Sequence, residues 1–392
     1  MTTAERRKLH LMMKLTIHKK KPTLSVTQFG YLLIIIVAVV RATHFHVNSG
    51  DNMDLTRHFY MMQLIKKSGY SLFEYVFLYG DHFTSNITMR FSYAFNLVVY
   101  LVSKYSNNFY IIVWFFVLVD YSIIAYIGLD WWRSQGGKKT SMFFVEALLC
   151  FSLLPYIHAV SGLRTAIAAC IMALGVYLYI YKEKSIRTFI LITILALMFH
   201  AAFLTAVPFV ILAKKVDRKK GLIISFAGSV SVSLIANILI RSSNGFLYSI
   251  AFKYLQYTGE SGYRGTRFCY YGVIAICILT LIDYFLMFFL RRKTDSSAFR
   301  EGYSEKNIRI EIYDFLAYYM FFILSNIGNY EMVLRPAYLL GALAPVITGL
   351  IYDVEGGRRR RDSLSILVFA VILIIALYVS YMYLAWHNEH FS

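Results

Sequence analysis

Ser161-Gly162-Leu163-Arg164-Thr165-Ala166-Ile167-Ala168-Ala169-Cys170-Ile171-Met172-Ala173-Leu174-Gly175-Val176-Tyr177-Leu178-Tyr179-Ile180-Tyr181 is an apolar run entered by a single arginine, with no further charge before Lys182. At about 1.5 Å per residue its helix approaches the roughly 30 Å thickness of a bilayer's hydrocarbon core, so it reads as a membrane span. Ala166, Ala168 and Ala169 are small enough to let another helix come close. Arg164 is the costly residue. A lipid-facing arginine at the bilayer centre costs about 2.5–3.5 kcal/mol on insertion scales, so it must face a partner, a cavity or water. Its planar fork suits phosphate, either as a clamp on a ligand or by reaching out to a lipid headgroup. The adjoining loop offers no second cation to share an anchoring role.

The rest of the chain has the same character. Of 392 residues, 58% are hydrophobic and only 16% charged, against about 25% charged in soluble domains. The mean hydropathy is +0.55, and apolar runs leave no room for a sizeable soluble domain. Cys150, Cys170, Cys269 and Cys277 all lie in such runs and read as packing residues. The 31 Phe and 32 Tyr read as mostly lipid-facing or interfacial. The first apolar segment lacks a small-residue cleavage site, so residues 1–28 read as a retained basic tail.

The net charge of +18 invites a nucleic-acid reading, which its distribution excludes. Lysines and arginines gather before Pro22 and in the short loops 131–140, 182–187, 214–220, 291–309 and 358–361, which together hold 28 of the 40. That is the pattern of orientation signals, and it places these loops and the N-terminus in the cytoplasm. Candidate spans are 29–46, 109–129, 141–157, 165–181, 221–240, 268–290, 312–326, 333–352 and 364–386. Residues 188–213 read as two half-spans meeting near His200, and the segments 58–79 (broken by Lys66-Lys67) and 89–103 as interfacial or re-entrant. The expectation is one membrane domain over 29–386, with outer loops at 42–83 and 241–267 and an outer tail at 387–392.

Polar residues cluster where these spans reach the outside. The first loop carries Arg41, His44, His46, Asp51, Asp54, Arg57, His58 and Tyr60. Its histidines and aspartates resemble metal ligands, but no H-x-x-x-H pair or cysteine supports a metal site; a hydrogen-bonded loop anchoring a helix end is the plainer reading. His158 and Ser161 accompany Arg164. His200 sits in an apolar run where irregular backbone is expected to line a cavity. Asn326 to Glu331 leads to Arg335, Pro336 and Tyr338, and Arg335 enters a span from the same side as Arg164. Glu260, Tyr263, Arg264 and Arg267 lie in a polar loop that either closes over a substrate or simply connects. Inside the membrane, Asp120, Glu146 and Asp283 are few and widely separated in sequence, which disfavours a transport path; a pairing of Asp120 with Glu146 across adjacent helices stays open. No P-loop, dinucleotide fingerprint, G-x-S-x-G or D-x-D motif is present.

The order of these clusters resembles the EpsG family of Wzy-type polysaccharide polymerases. Arg41 ends the first span and is followed by Asp51, Asp54 and Tyr60; then come Gly162 to Ala168 as G-[IL]-R-x-A-I-A, Phe199-His200 closing a hydrophobic run, and Arg335 with Tyr338 in a late span. The likeness covers residues 31–352; Thr165 stands where the family usually has glutamine. It implies an all-α polytopic membrane protein of roughly 10–13 transmembrane or re-entrant helices. The implied bundle is like that of GT-C glycosyltransferases, with the active site at the outer face.

The implied activity is that of a bacterial inner-membrane enzyme, needing no cofactor or obligatory metal. It moves a growing polysaccharide from undecaprenyl pyrophosphate to an incoming lipid-linked repeat unit. Partners would be those lipid-linked units, membrane lipid and a chain-length regulator protein, with no nucleic acid. Within that reaction Arg164 and Arg335 are the expected clamp on the leaving pyrophosphate. Arg41 or Arg57 would hold the second substrate, with Tyr60, Tyr338 and Arg264 as further substrate contacts. Asp51 or Asp54 is the expected base, and His200 the alternative. A ligase-like transferase acting on another acceptor, or a flippase for lipid-linked sugars, remains the rival reading.

Overall fold

A computed structural model describes residues 26–43, 54–78, 92–134, 140–160, 162–242, 244–256, 267–286, 288, 303–351 and 363–388. In chain order the helices are α1 (Val26–Ala42), α2 (Asp54–Ser68), α3 (Tyr93–Tyr105), α4 (Tyr110–Ser134), α5 (Thr140–Leu153), α6 (Tyr156–Val160), α7 (Leu163–Val176), α8 (Ile186–Leu197), α9 (Val207–Lys215), α10 (Arg218–Leu239), α11 (Gly245–Gln256), α12 (Arg267–Phe285), α13 (Tyr303–Ser325), α14 (Tyr330–Ala342), α15 (Ala344–Ile351) and α16 (Ser363–Asn388). No strand forms among the described residues.

Short polar residues set several boundaries. The Ser185 hydroxyl accepts the Thr188 N–H at the start of α8, and the Asp217 carboxylate accepts the Lys219 N–H at the start of α10. Gly69, at φ +68°, stops α2 in the left-handed region where a side chain would be strained. Lys66-Lys67 therefore lie inside the last turn of α2 and do not break it. Lysine tolerates helix well; the glycine is the stop.

Among the described residues, Tyr110–Ser134, Leu163–Tyr181 and Arg218–Leu239 are long and apolar enough to cross a membrane. The run 163–181 extends α7 through a wide turn at Tyr177–Tyr181. The expected single span over 333–352 is instead a bent pair: α14 and α15 meet at 79° around Leu343. Pro345, in the first turn of α15, has no N–H to donate and crowds the carbonyl of Gly341, which makes a straight helix unfavourable here; α14 runs on through Pro336. The apolar run 188–213 is interrupted as expected, with α8 ending at Leu197 and α9 starting at Val207.

α7 is the axis of the bundle. It packs against α4, α8 and α14, and nearly every residue from Leu163 to Val176 is buried. Where lipid is as apolar as any side chain, close packing must hold helices together, and small residues permit it. α10 shows the same device at the periphery. Gly221, Ser225, Ser229 and Ala236 form its buried stripe towards α13, and the Ser225 hydroxyl donates to the Tyr318 carbonyl at 3.0 Å. Its opposite face exposes Ile223, Phe226, Val230 and Leu234, as a lipid-facing helix does. Many aromatic rings expected at the lipid are instead core: Tyr75, Tyr177, Tyr318, Phe95, Phe116 and Phe315 are all fully buried. Thin, small-residue helix seams leave gaps that planar rings fill. The four cysteines are buried and none is in a disulfide.

The two ends of the bundle differ. At the Lys182 end, Lys182 pairs with Asp130 (3.0 Å), Lys214 with Glu311 (2.6 Å) and Arg218 with Asp314 (2.8 Å). The other end carries Arg164. Between them, Glu146 does not pair with Asp120. It accepts hydrogen bonds from the Tyr31 hydroxyl and the Trp132 indole N–H, because α1 lies along α4 and brings Tyr31 onto α5. Asp120, fully buried, faces Cys170 instead.

One close approach fixes α14. A Cβ on Gly341 would lie 2.7 Å from the Leu154 backbone nitrogen, just past α5. Gly341→Val must push the two segments apart, at a cost of about 1–3 kcal/mol or more because backbone, not a side-chain tip, has to move. The expected result is a clear loss of monodisperse protein on detergent size-exclusion chromatography. Wild-type yield and elution would show that the segments are not this close.

Candidate functional site

The site is built where one helix ends against the start of another. The last carbonyls of α8 and the first N–H groups of α3 have no partners within their own helices. They supply each other: the Ala94 N–H donates to the Met198 carbonyl at 3.1 Å, and the Ser92 hydroxyl donates to the Phe199 carbonyl at 3.1 Å. His200 follows in extended backbone (φ −158°, ψ 123°) and caps the tight turn at Ala201–Ala206. Its Nδ1 accepts the Ala202 N–H at 3.1 Å.

Arg164 reaches this junction from the first turn of α7 and is only 9% exposed. Its Nη1 donates to the Ser92 Oγ at 3.4 Å, and its guanidinium carbon lies 5.7 Å from the centre of the Phe95 ring. Arg335 arrives from α14. Its Nη1 is 3.5 Å from His200 Nε2, and its Nε is held at 2.5 Å by Glu331, one turn earlier. Ser92, Phe199 and His200 thus form a short polar bridge between two arginines from different helices. Glu331 offsets part of the positive charge of Arg335, and a guanidinium fork has the geometry to take phosphate oxygens.

Beneath the bridge lies an aromatic floor. Phe95 stacks on Phe116 (5.4 Å between centres), and Phe116 meets Phe199 edge-on (5.9 Å). The buried His58 ring packs on Phe95 at 4.5 Å, which ties α2 to the same floor. Asp54 and Arg57 lie on α2, ahead of His58 in the chain. Asp51 and Arg264, like His44 and His46, lie outside the described residues.

On the far side, α11 is fastened to the approach to α14. The Tyr254 hydroxyl donates to Asn326 Oδ1 and Asn329 Nδ2 donates to the Tyr254 carbonyl, both at 2.7 Å. Asn329 also caps α14 by accepting the Met332 N–H at 3.1 Å. These bonds hold Glu331 and Arg335 in register with the junction.

The remaining expected residues are placed less centrally. Arg41 closes α1 at the same end and acts electrostatically on Tyr156, whose hydroxyl donates to the Ala38 carbonyl at 2.5 Å. Tyr60 is half exposed, with its ring against Phe59. Tyr338 is buried in α14 one turn below Arg335. His158 lies on α6. Among the described residues no three His, Cys, Asp or Glu side chains converge as metal ligands would. Sequence reasoning missed Ser92 and Phe95. A serine just ahead of an apolar run is a helix-cap signal that could have marked the first; nothing local marks the second.

No curated protein and no solved structure matches the chain. The model of the EpsG family matches it over residues 26–392, almost its full length, and so spans the arginine bridge and all the helices that build it. With that match, the chain belongs to the EpsG family, a family of Wzy-like polysaccharide polymerases.

Proposed function

We propose that the protein is a Wzy-type polymerase of the bacterial cytoplasmic membrane, with its N-terminus inside and the arginine bridge at the outer leaflet. It transfers a growing polysaccharide from undecaprenyl pyrophosphate to an incoming lipid-linked repeat unit. The observation that carries the reading is the meeting of Arg164 and Arg335 across Ser92, Phe199 and His200.

The reaction is a displacement at an anomeric carbon. The bond from that carbon to the pyrophosphate oxygen breaks, and a bond to the acceptor hydroxyl oxygen forms. The electron pair leaves with the pyrophosphate, where Arg164 and Arg335 stabilise it. The acceptor's proton goes to a carboxylate, for which Asp54 and Asp51 on the first loop are the candidates. Arg41 and Arg57, on the same loop and helix end, serve the second carrier's phosphates. Holding two carriers side by side also supplies proximity, which accounts for much of the barrier reduction.

Product analysis in cells tests the reading against its nearest rival. A strain lacking the gene should accumulate single repeat units on undecaprenyl pyrophosphate, and complementation should restore a ladder of long chains on that same carrier. Chains restored only on a different acceptor would mean a ligase and would overturn the proposal.

A further inference from the structure

Below the aromatic floor a groove of about 430 Å³ runs along α4, lined by Leu118, Val119, Ser122, Ile123 and Tyr126 and by Leu174 of α7. None of these residues is charged. The groove opens outward: Leu118 and Tyr126 are each 46% exposed, and Ser122 between them is exposed too. Both helices also serve the arginine bridge. Phe116, two residues before Leu118 on α4, belongs to the floor under the bridge. Arg164 lies in the first turn of α7, and Leu174 stands ten residues further along it. At about 1.5 Å per residue, the groove starts about 3 Å past the floor and reaches about 15 Å towards the Lys182 end, half the thickness of a hydrocarbon core.

From this continuity we propose that the groove seats the polyprenyl tail of the lipid carrier whose pyrophosphate lies at the bridge. The proposal rests on the polymerase reading and adds where the carrier's apolar part runs. Shape, not hydrophobicity, selects the tail. Surrounding lipid is as apolar as the groove, so a chain entering it gains no hydrophobic free energy. What it gains is packing. In a groove a chain touches side chains on more than one side, whereas the lipid-facing stripe of α10 (Ile223, Phe226, Val230 and Leu234) touches it on one. Each contact is small, so the groove orients the carrier more than it tightens binding. A tail laid along α4 and α7 aims its pyrophosphate end at the bridge, which spares part of the entropy cost of alignment.

Trapping the occupant tests this directly. In proteoliposomes supplied with undecaprenyl-linked repeat unit, a photoreactive benzophenone side chain introduced at Ser122 should cross-link the polyprenyl carrier, identified by mass spectrometry. The same probe at Phe226, on the lipid-facing stripe of α10, should trap phospholipid alone. Phospholipid alone at Ser122, or carrier trapped equally at both positions, would overturn the proposal. Filling the groove gives a second measurement. Ser122→Trp should raise KM for the undecaprenyl-linked unit by about three- to tenfold, with kcat within about twofold of the parent, because only packing is lost. KM for the same unit on a carrier cut to its first isoprene, too short to run along the groove, should not move. A rise for both substrates, or for neither, would contradict the tail's place there. These failures are separable from failure of the polymerase reading. In the first case the parent protein still builds a ladder on undecaprenyl pyrophosphate; in the second it builds none.

Discussion

Arg164→Ala should lower polymer formation by about 10²–10³-fold while leaving the protein in the membrane, and Arg164→Lys should recover little of it. The magnitude follows from the site's chemistry, since each preorganised donor at a developing oxyanion contributes about 2.7–4 kcal/mol. The poor rescue follows from geometry. Arg164 donates through one nitrogen to Ser92 and sets its guanidinium carbon 5.7 Å from the centre of the Phe95 ring, a two-sided placement that a planar, forked group makes and an ammonium does not. Lysine offers a point charge that cannot bond Ser92 and a bidentate partner together. Undecaprenyl-linked single units should accumulate in both variants, read by mass spectrometry of extracted lipids. If Arg164→Lys restored full chain length, a simple headgroup-anchoring cation would suffice and the clamp would be wrong.

The second large effect is structural. Glu146 is 2% exposed and receives both the Tyr31 hydroxyl and the Trp132 indole N–H, so it joins α1, α4 and α5 through one side chain. In Glu146→Ala the buried Tyr31 hydroxyl and the half-buried Trp132 indole N–H lose their acceptor, at about 1–3 kcal/mol for the buried group and less for the other. A cavity adds to the loss, since the space beside Glu146, lined by Tyr121, Cys150 and Pro345, widens when the side chain is truncated. The expected outcome is a thermal midpoint in detergent several degrees below the parent's, with Glu146→Gln closer to the parent because its amide oxygen can accept the Trp132 N–H while its NH2 donates to the Tyr31 hydroxyl. Equal midpoints for all three proteins would show that the Tyr31–Glu146–Trp132 contact holds nothing together.

Much of the site was legible in the sequence because charge in an apolar run is expensive and therefore conspicuous. Arg164, His200 and Arg335 each stood out on that ground, and the structure brings these three together. What joins them was not legible. Ser92 and Phe199 meet only because the frayed ends of α3 and α8 satisfy each other, a tertiary fact with no periodic signature. The same holds for Phe95, one ring among many, which becomes the floor of the site by its place on α3. The fold was read well where apolar runs were long, as in α4, α7 and α10, and less well where backbone chemistry intervened. The bend between α14 and α15 was written in Pro345, yet hydropathy alone averages across it. The partner of Glu146 depended on how α1 lies across α4 and α5, which sequence spacing does not specify.

If the arginine bridge handles the pyrophosphate of a lipid-linked glycan during chain growth, purified protein should reproduce that chemistry alone. The decisive assay incubates it in proteoliposomes with lipid-linked repeat unit only, following both chain length and release of undecaprenyl pyrophosphate. A ladder should form, with one carrier released for each added unit, and both should be lost in the Arg164→Ala/Arg335→Ala double variant. A ladder and carrier release that persist in the double variant would remove the bridge from the chemistry.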